Sequence, residues 1–329
     1  MRLSIIVPAY NEGESVRAAR AAIAEVFRSQ LPGTDFEIVF VDDGSRDDTF
    51  QHLAALAAEF PYVRVIKLAQ NSGAHMAIRA GFDHATGDAA AFVACDLQDP
   101  PEVLPSMLAA LQRPVEIVWA VRDTRQDSLS SRLFSRVFYG LARLLVSRNL
   151  APSGSSLFLL GPQALKILRQ HRERNLMLDG VLATMGVAQA RVPYERQARL
   201  GQTKWTFGKR LKTFADFFAG YSYAPIRFMS YLGILVALAG FVYAAVVLAN
   251  RLFVTRQPVP GWTSLMLVVL VLGGLQMVML GVLGEYVWRA LDEARGRPAY
   301  VVEAALNLPG AADAVASSAI AGARGKLPS

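Results

Sequence analysis

Largely apolar runs of strand length alternate with stretches of helical period over the first part of the chain. Positions 3–8, 36–42, 63–67, 89–95 and 115–120 read as strands, and 14–30, 47–59 and 73–85 as helices; Pro100 and Pro101 open a further helix. Strands apolar on both faces, separated by amphipathic helices, predict an α/β fold with a mostly parallel sheet covered on both sides. Further along, 228–249 and 262–284 contain no charged residue. At about 1.5 Å per residue each can cross the roughly 30 Å hydrocarbon core of a bilayer, and buried helices of that length usually keep a polar stripe. The reading is a transmembrane hairpin turned by the short 250–261 loop.

Charge gives the hairpin a direction. Lys204, Lys209, Arg210, Lys212 and Arg227 precede the first span and Arg289, Arg295 and Arg297 follow the second, against Arg251 and Arg256 in the loop. Cationic flanks stay in the cytoplasm. This divides the chain into a cytoplasmic domain over 1–226, a transmembrane hairpin over 227–290 and a cytoplasmic tail over 291–329, disordered from 306. The first apolar run stops at Pro8 and is too short for a signal peptide. With 53% hydrophobic and 19% charged residues the 329-residue chain is not a disordered polymer. The lone Cys95 excludes a disulfide framework and a cysteine zinc cluster, and the four histidines have no metal-site spacing. A reducing cytoplasm agrees with that cysteine count.

The net charge of +7 calls for an anionic partner. Its placement beside the spans favours a lipid surface and a phosphorylated ligand over nucleic acid. Two stretches, 130–148 and 206–219, combine an apolar face with clustered cations and suit helices lying in the lipid interface. For the first, packing on the sheet is an equal alternative.

In open α/β sheets, ligands bind beyond the carboxyl ends of the strands. Three loops there are unusually acidic or polar: Pro8-Ala9-Tyr10-Asn11-Glu12, Asp42-Asp43-Gly44-Ser45-Arg46-Asp47-Asp48-Thr49 and Asp96-Leu97-Gln98-Asp99-Pro100. Each also has a plain structural reading, as helix caps, a turn or a proline-led helix start. Acidic groups gathered at one edge repel unless a cation or donor groups compensate. A divalent metal holding a diphosphate is the economical reading.

With Ile5 to Glu12, Val41 to Ser45, Asn71-Ser72-Gly73 with Ala80-Gly81, His84 to Asp88, Asp96 to Pro100, Gly201 to Trp205 and Tyr223 to Arg227, the chain resembles the family 2 glycosyltransferases of GT-A fold, and within them the polyisoprenyl-phosphate glycosyltransferases. The resemblance implies inverting transfer of a sugar from a UDP- or GDP-linked donor to a polyprenyl phosphate, undecaprenyl phosphate in a bacterium, at the cytoplasmic face of the inner membrane. It implies nucleotide contacts from Pro8, Tyr10, Asn11, Glu12, Asp43, Asn71 and Gly73. Asp96 and Gln98 would hold Mg²⁺ or Mn²⁺ with the diphosphate, leaning on Asp99 as well. Lys204 and Arg199 would grip the acceptor phosphate, with Arg196 as an alternative. A homo-oligomer through the hairpin is left open.

The chain departs from the family pattern in two places. Ala94 stands where many members carry the first aspartate of an Asp-x-Asp motif, and Ser156 occupies the position of a carboxylate proposed as catalytic base. Asp179 is a candidate substitute. A phosphate monoester is already largely ionised at neutral pH and has less need of a base than of orientation. Two other readings stand beside the transferase: a non-catalytic nucleotide-binding membrane adaptor, and a processive polysaccharide synthase. The latter usually carries a Gln-x-x-Arg-Trp motif, and that motif does not occur in this chain.

Overall fold

The computed structural model describes residues 1–122, 140, 155–171, 177–195, 222, 224–253 and 261–308. Arg196, Arg199, Lys204 and, apart from position 140, the helices expected at 130–148 and 206–219 lie outside the described residues. By contacts the chain divides into two compact units, Met1–Trp205 with Pro298–Ser329, and Thr206–Arg297.

In the first unit the apolar runs become strands β1 (Arg2–Ala9), β2 (Asp35–Asp42), β3 (Val63–Leu68), β4 (Ala89–Phe92) and β5 (Val115–Arg122). Helices α1 (Ser15–Ser29), α2 (Thr49–Glu59) and α3 (Ala74–His84) connect the first four. After β4 a short 3₁₀ turn at Pro101–Val103 leads into α4 (Leu104–Ala110). Beyond β5 come β6 (Ser155–Leu160), α5 (Pro162–Gln170), α6 (Leu178–Thr184) and β7 (Ala188–Tyr194), and β8 (Val302–Leu306) follows the hairpin. Among the described residues these strands form one eight-stranded sheet in the order β7-β5-β6-β4-β1-β2-β3-β8. β6 runs antiparallel to β4 and β5, and β8 antiparallel to β3; the other neighbours are parallel. Six strands therefore deliver their carboxyl ends to one edge.

The physical cause is burial. Leu3, Ile5, Ile6 and Val7 of β1 and Ile38 to Val41 of β2 are fully enclosed, as parallel strands covered on both faces must be. Val16, Ala19, Ile23, Val26 and Phe27 give α1 its buried stripe. α3 lies so close to β1 that a methyl group at Gly81 would collide with Ile6 Cγ2. The edge away from the carboxyl ends is closed by Glu37. Its buried carboxylate accepts from Ser4 Oγ (2.5 Å), Thr86 N (2.7 Å) and Thr86 Oγ1 (2.8 Å), and pairs with Arg64 at 2.7 Å. The His84–Asp88 stretch thus serves that network, and Asp88 also accepts the Arg2 amide at 2.8 Å.

Two expectations need correction. β4 ends at Phe92 instead of Cys95, because the chain leaves the ladder to form the turn that carries Asp96. The stretch expected as a tail over 291–329 carries a strand, β8. Lys67 pairs with Glu303 at 2.9 Å, Ala69 N donates to Val301 O at 2.9 Å, and Asn307 Nδ2 donates to Ala57 O (2.7 Å) and Val63 O (2.9 Å). The strand reaches Leu306, where disorder was expected to begin.

In the second unit, α7 (Ala224–Phe253) and α8 (Trp262–Ala294) outrun the charge-free stretches. Windows Ile226–Tyr243 and Val271–Ala294 are apolar enough to cross a membrane, and among their described residues none is buried within the protein. Gly233 lets Met279 approach, and Tyr286 Oη donates to Ser222 O at 3.0 Å.

Candidate active site

The loops leaving β1, β2 and β3 are fastened to one another by side chains. After β1, Asn11 adopts a left-handed φ of 53°, its N–H donates to Ser45 Oγ (3.0 Å), and its Oδ1 accepts the Arg46 amide (3.0 Å). The Glu12 and Gly13 amides both donate to Thr49 Oγ1 at 2.9 Å. That hydroxyl donates to Asp47 Oδ1 at 2.5 Å, a bond that leads the causes holding the Asp47 carboxyl below its ordinary range. After β2, Asp42 Oδ1 accepts the Ser45 amide (2.9 Å), closing the turn around Gly44. Gly44 has φ +67°, and a Cβ there would meet Gln70 C at 2.6 Å, so only glycine brings the β2 exit onto the β3 exit this closely.

Asp43 makes the third connection. It is 3% exposed, and its two oxygens accept the amides of Ser72 (2.7 Å) and Gly73 (3.0 Å). Burial pushes its carboxyl above the usual range, against the pull of those two donors. A cavity of about 260 Å³ lies at this junction, lined by Pro8, Ala9, Tyr10, Asp43, Asn71, Gly73, Ala74 and Ala77. Five of the seven residues expected to contact nucleotide therefore share one wall. Asn11 and Glu12 are not in the lining and instead tie the β1 exit to the β2 exit. Tyr10 keeps 42% of its surface exposed, leaving an aromatic face free at the rim.

The Asp96 loop leaves the neighbouring β4. Cys95 is buried and Asp96 exposed, and the Gln98 amide donates to Asp96 Oδ1 at 3.2 Å. Burial pushes the Cys95 thiol up to about 12, with the negative charges of Glu12 and Asp96 adding to it. The acidic residues do not form a preformed metal cage: among the described residues, no group of three His, Cys, Asp or Glu could hold an ion. Compensation comes from donors, at Asp43, Asp47 and Asp99. Asp99 is 3% exposed and accepts Tyr194 Oη at 2.5 Å, with Arg122 Nε 3.8 Å away. This side chain is engaged with protein and is not free to lean toward a metal.

Ser156 lies at the start of β6, where the pairing with β5 slips between Ala120 and Val121. Asp179, in the first turn of α6, is partly buried, which raises its carboxyl; the opposing influence is His75, two residues beyond Gly73. Nothing in a local motif foretold the bond from Tyr194 to Asp99 or the approach of His75 to α6, where the Leu178 amide donates to His75 Nδ1 at 3.4 Å, because each joins positions far apart in the chain.

Comparison with known proteins agrees with this architecture. Residues 4–164 match the model for glycosyl transferase family 2, and residues 224–289 match the GtrB C-terminal hairpin. The chain is 33% identical over 305 residues to a protein described as uncharacterized glycosyltransferase YkcC of Bacillus subtilis, covering 92% of this chain and 94% of that one. It is also 33% identical over 305 residues to the bactoprenol glucosyl transferase of Shigella phage SfII, covering 92% and 98%. Among solved structures, the mannosyltransferase PcManGT of Pyrobaculum calidifontis, determined with GDP-Man and Mn²⁺, superposes with a TM-score of 0.50 at 18% identity over 87% of each chain. That likeness identifies the fold as GT-A-like.

Proposed function

The chain belongs to glycosyl transferase family 2 and carries the GtrB hairpin, and on that premise we propose that it transfers a sugar from a UDP- or GDP-linked donor to undecaprenyl phosphate, with inversion, at the cytoplasmic face of a bacterial inner membrane. The enzyme class and the membrane association follow from membership; acceptor, donor, stereochemistry and sidedness are the proposal. The observation that carries it is the cavity at the carboxyl edge of the sheet, in a chain that continues into two apolar helices. Relatives named for transfer to bactoprenol, matched over nearly their whole length, support the acceptor.

In this reading the nucleoside occupies the space between Pro8–Tyr10 and Asn71–Gly73, with Tyr10 offering its ring to the base. Asp43 acts chiefly by fixing the 72–73 backbone, and Asn11 and Glu12 by holding the β1 exit in register. A divalent cation fits the residues present in one way. Asp96 supplies an exposed carboxylate and Gln98 a side-chain amide, while no three-residue acidic cage exists among the described residues. Mg²⁺ and Mn²⁺ sites often use one or two protein carboxylates, waters and substrate phosphates. The site therefore suits an ion that arrives with the diphosphate, where it would neutralise the leaving group's charge.

The acceptor phosphate needs no deprotonation, since its second pKa lies near 6. Its oxygen forms the new bond to the anomeric carbon as the bond to the nucleoside diphosphate breaks. Lys204 and Arg199 are assigned to orient it, a point charge and a planar fork suited to phosphate. Ser156, lacking a carboxylate, contributes a hydroxyl at most. The test is to incubate the purified full chain with undecaprenyl phosphate and a panel of labelled nucleotide-sugars. One donor is expected to give a lipid-linked product, with Asp96→Ala reducing the rate at least tenfold. No product with any donor, alongside intact nucleotide binding, would replace this reading with the non-catalytic adaptor.

A further inference from the structure

The loop bearing Asp96 has to be held against its own backbone preference. Leu97 adopts φ 52°, a left-handed conformation that an L-residue keeps only where the surroundings enforce it. One restraint is the Leu97 side chain, packed against the core. The other is Asp99, whose buried carboxylate accepts the Tyr194 hydroxyl at 2.5 Å. Tyr194 closes β7 and faces Arg122 at the end of β5 in the parallel register, and Arg122 Nε donates to Tyr194 Oη at 3.3 Å. The same Nε stands 3.8 Å from Asp99 Oδ1. Cation, phenol and carboxylate so link the carboxyl ends of two strands to the loop after a third.

We propose that Asp99, Tyr194 and Arg122 form a brace that sets the position of Asp96 and Gln98, making Tyr194 and Arg122 positioning residues for the diphosphate end of the donor. The inference rests on the donor site proposed above. Asp96 is exposed, yet it sits between Cys95, which is buried, and Leu97, whose backbone is constrained. Fixing both neighbours aims its carboxylate without enclosing it. The Tyr194–Asp99 bond is buried, so water does not readily replace it when one partner is removed. The nucleoside cavity has no lining residue from this group, and its walls should be indifferent to the brace.

The experiment titrates the full chain in detergent with a nucleoside diphosphate and with the matching monophosphate, each with Mn²⁺ and with chelator. Tyr194→Phe keeps the ring and deletes only the hydroxyl. It is expected to weaken diphosphate binding in Mn²⁺ about tenfold, equivalent to about 1.4 kcal/mol, and to leave monophosphate binding within twofold. Asp99→Ala should show the same selectivity, and the double variant should be no weaker than Asp99→Ala alone, as expected for two groups of one unit. Should Tyr194→Phe fail to fold, Arg122→Gln carries the same comparison. Equal weakening of both nucleotides, or of neither, overturns the brace while leaving the donor site standing. Wild-type protein that binds neither nucleotide overturns the donor site and the brace together.

Discussion

Replacing Asp43 tests the donor cavity where its geometry is best defined. The carboxylate accepts the Ser72 and Gly73 amides at 2.7 and 3.0 Å and is 3% exposed. A hydrogen bond to a charged group contributes about 1.5–3 kcal/mol. Asp43→Ala removes both acceptors and leaves two amides unpaired, a gross loss of about 3–6 kcal/mol. Part of this is returned, because burial disfavours the charged carboxylate, as its raised pKa records. A net destabilisation of about 2–3 kcal/mol is the expectation by the same scale. Asp43→Asn keeps one acceptor but turns an amide donor toward the other N–H, and should cost about half as much. The 72–73 backbone is also a wall of the cavity, so nucleotide affinity should fall at least tenfold in Asp43→Asn, or about 1.4 kcal/mol. Denaturant unfolding reads the first effect and calorimetric titration the second.

The sign of the pH dependence follows from the raised pKa. Below the ordinary carboxylate value Asp43 is protonated in both folded and unfolded chains, and its stabilising contribution is fully present. That contribution is lost as pH rises through the raised folded value, where the native state must give up its proton. Nucleotide affinity runs the other way: it should drop as acid protonates Asp43, starting above the usual carboxylate range, and the drop should be absent in Asp43→Asn. Wild-type stability and affinity in Asp43→Ala would refute the reasoning, because the two amides would then have other partners.

Gly44→Ala should destabilise the domain by more than about 1 kcal/mol in denaturant unfolding, since φ +67° penalises a side chain and the new Cβ meets Gln70 C at 2.6 Å. Asn307→Ala removes the two hydrogen bonds that its side-chain Nδ2 donates to the carbonyls of Ala57 and Val63, and a loss of about 1–3 kcal/mol is expected by the same measurement. Cys95 should resist alkylation at pH 8: a thiol moved from 9.0 to about 12 holds about a thousandfold less thiolate, and labelling as fast as a free thiol would contradict its placement.

The elements that the sequence displays well are those whose neighbours cover them on both faces. β1, β2 and β3 appear as largely apolar runs, interrupted by Ser4, Glu37 and Arg64, because their side chains are enclosed on either side, and α1 to α3 appear through the stripe each buries. β7 is different. It is an edge strand holding Pro193, and although Ala190, Val192 and Tyr194 turn inward in alternation with exposed Arg191 and Pro193, the proline and the small alanines make that short alternation a weak strand signal. β8 owes its place to partners more than two hundred residues earlier, Lys67 to Glu303 among them, and no local pattern can announce such pairing. The site divides the same way. Pro8, Tyr10, Asp43, Asn71 and Gly73 stand in short segments at strand ends and come together in the cavity. The fate of the acidic residues was not visible, because their compensation comes from particular donors: Ser72 and Gly73 amides for Asp43, a tyrosine from another strand for Asp99.

The destination of the sugar is decisive. Protein reconstituted in vesicles with the productive labelled donor should place label on undecaprenyl phosphate, as an acid-labile glycosyl phosphate, and none on undecaprenol lacking the phosphate. Label released as free sugar, or carried equally well by the unphosphorylated alcohol, would contradict it.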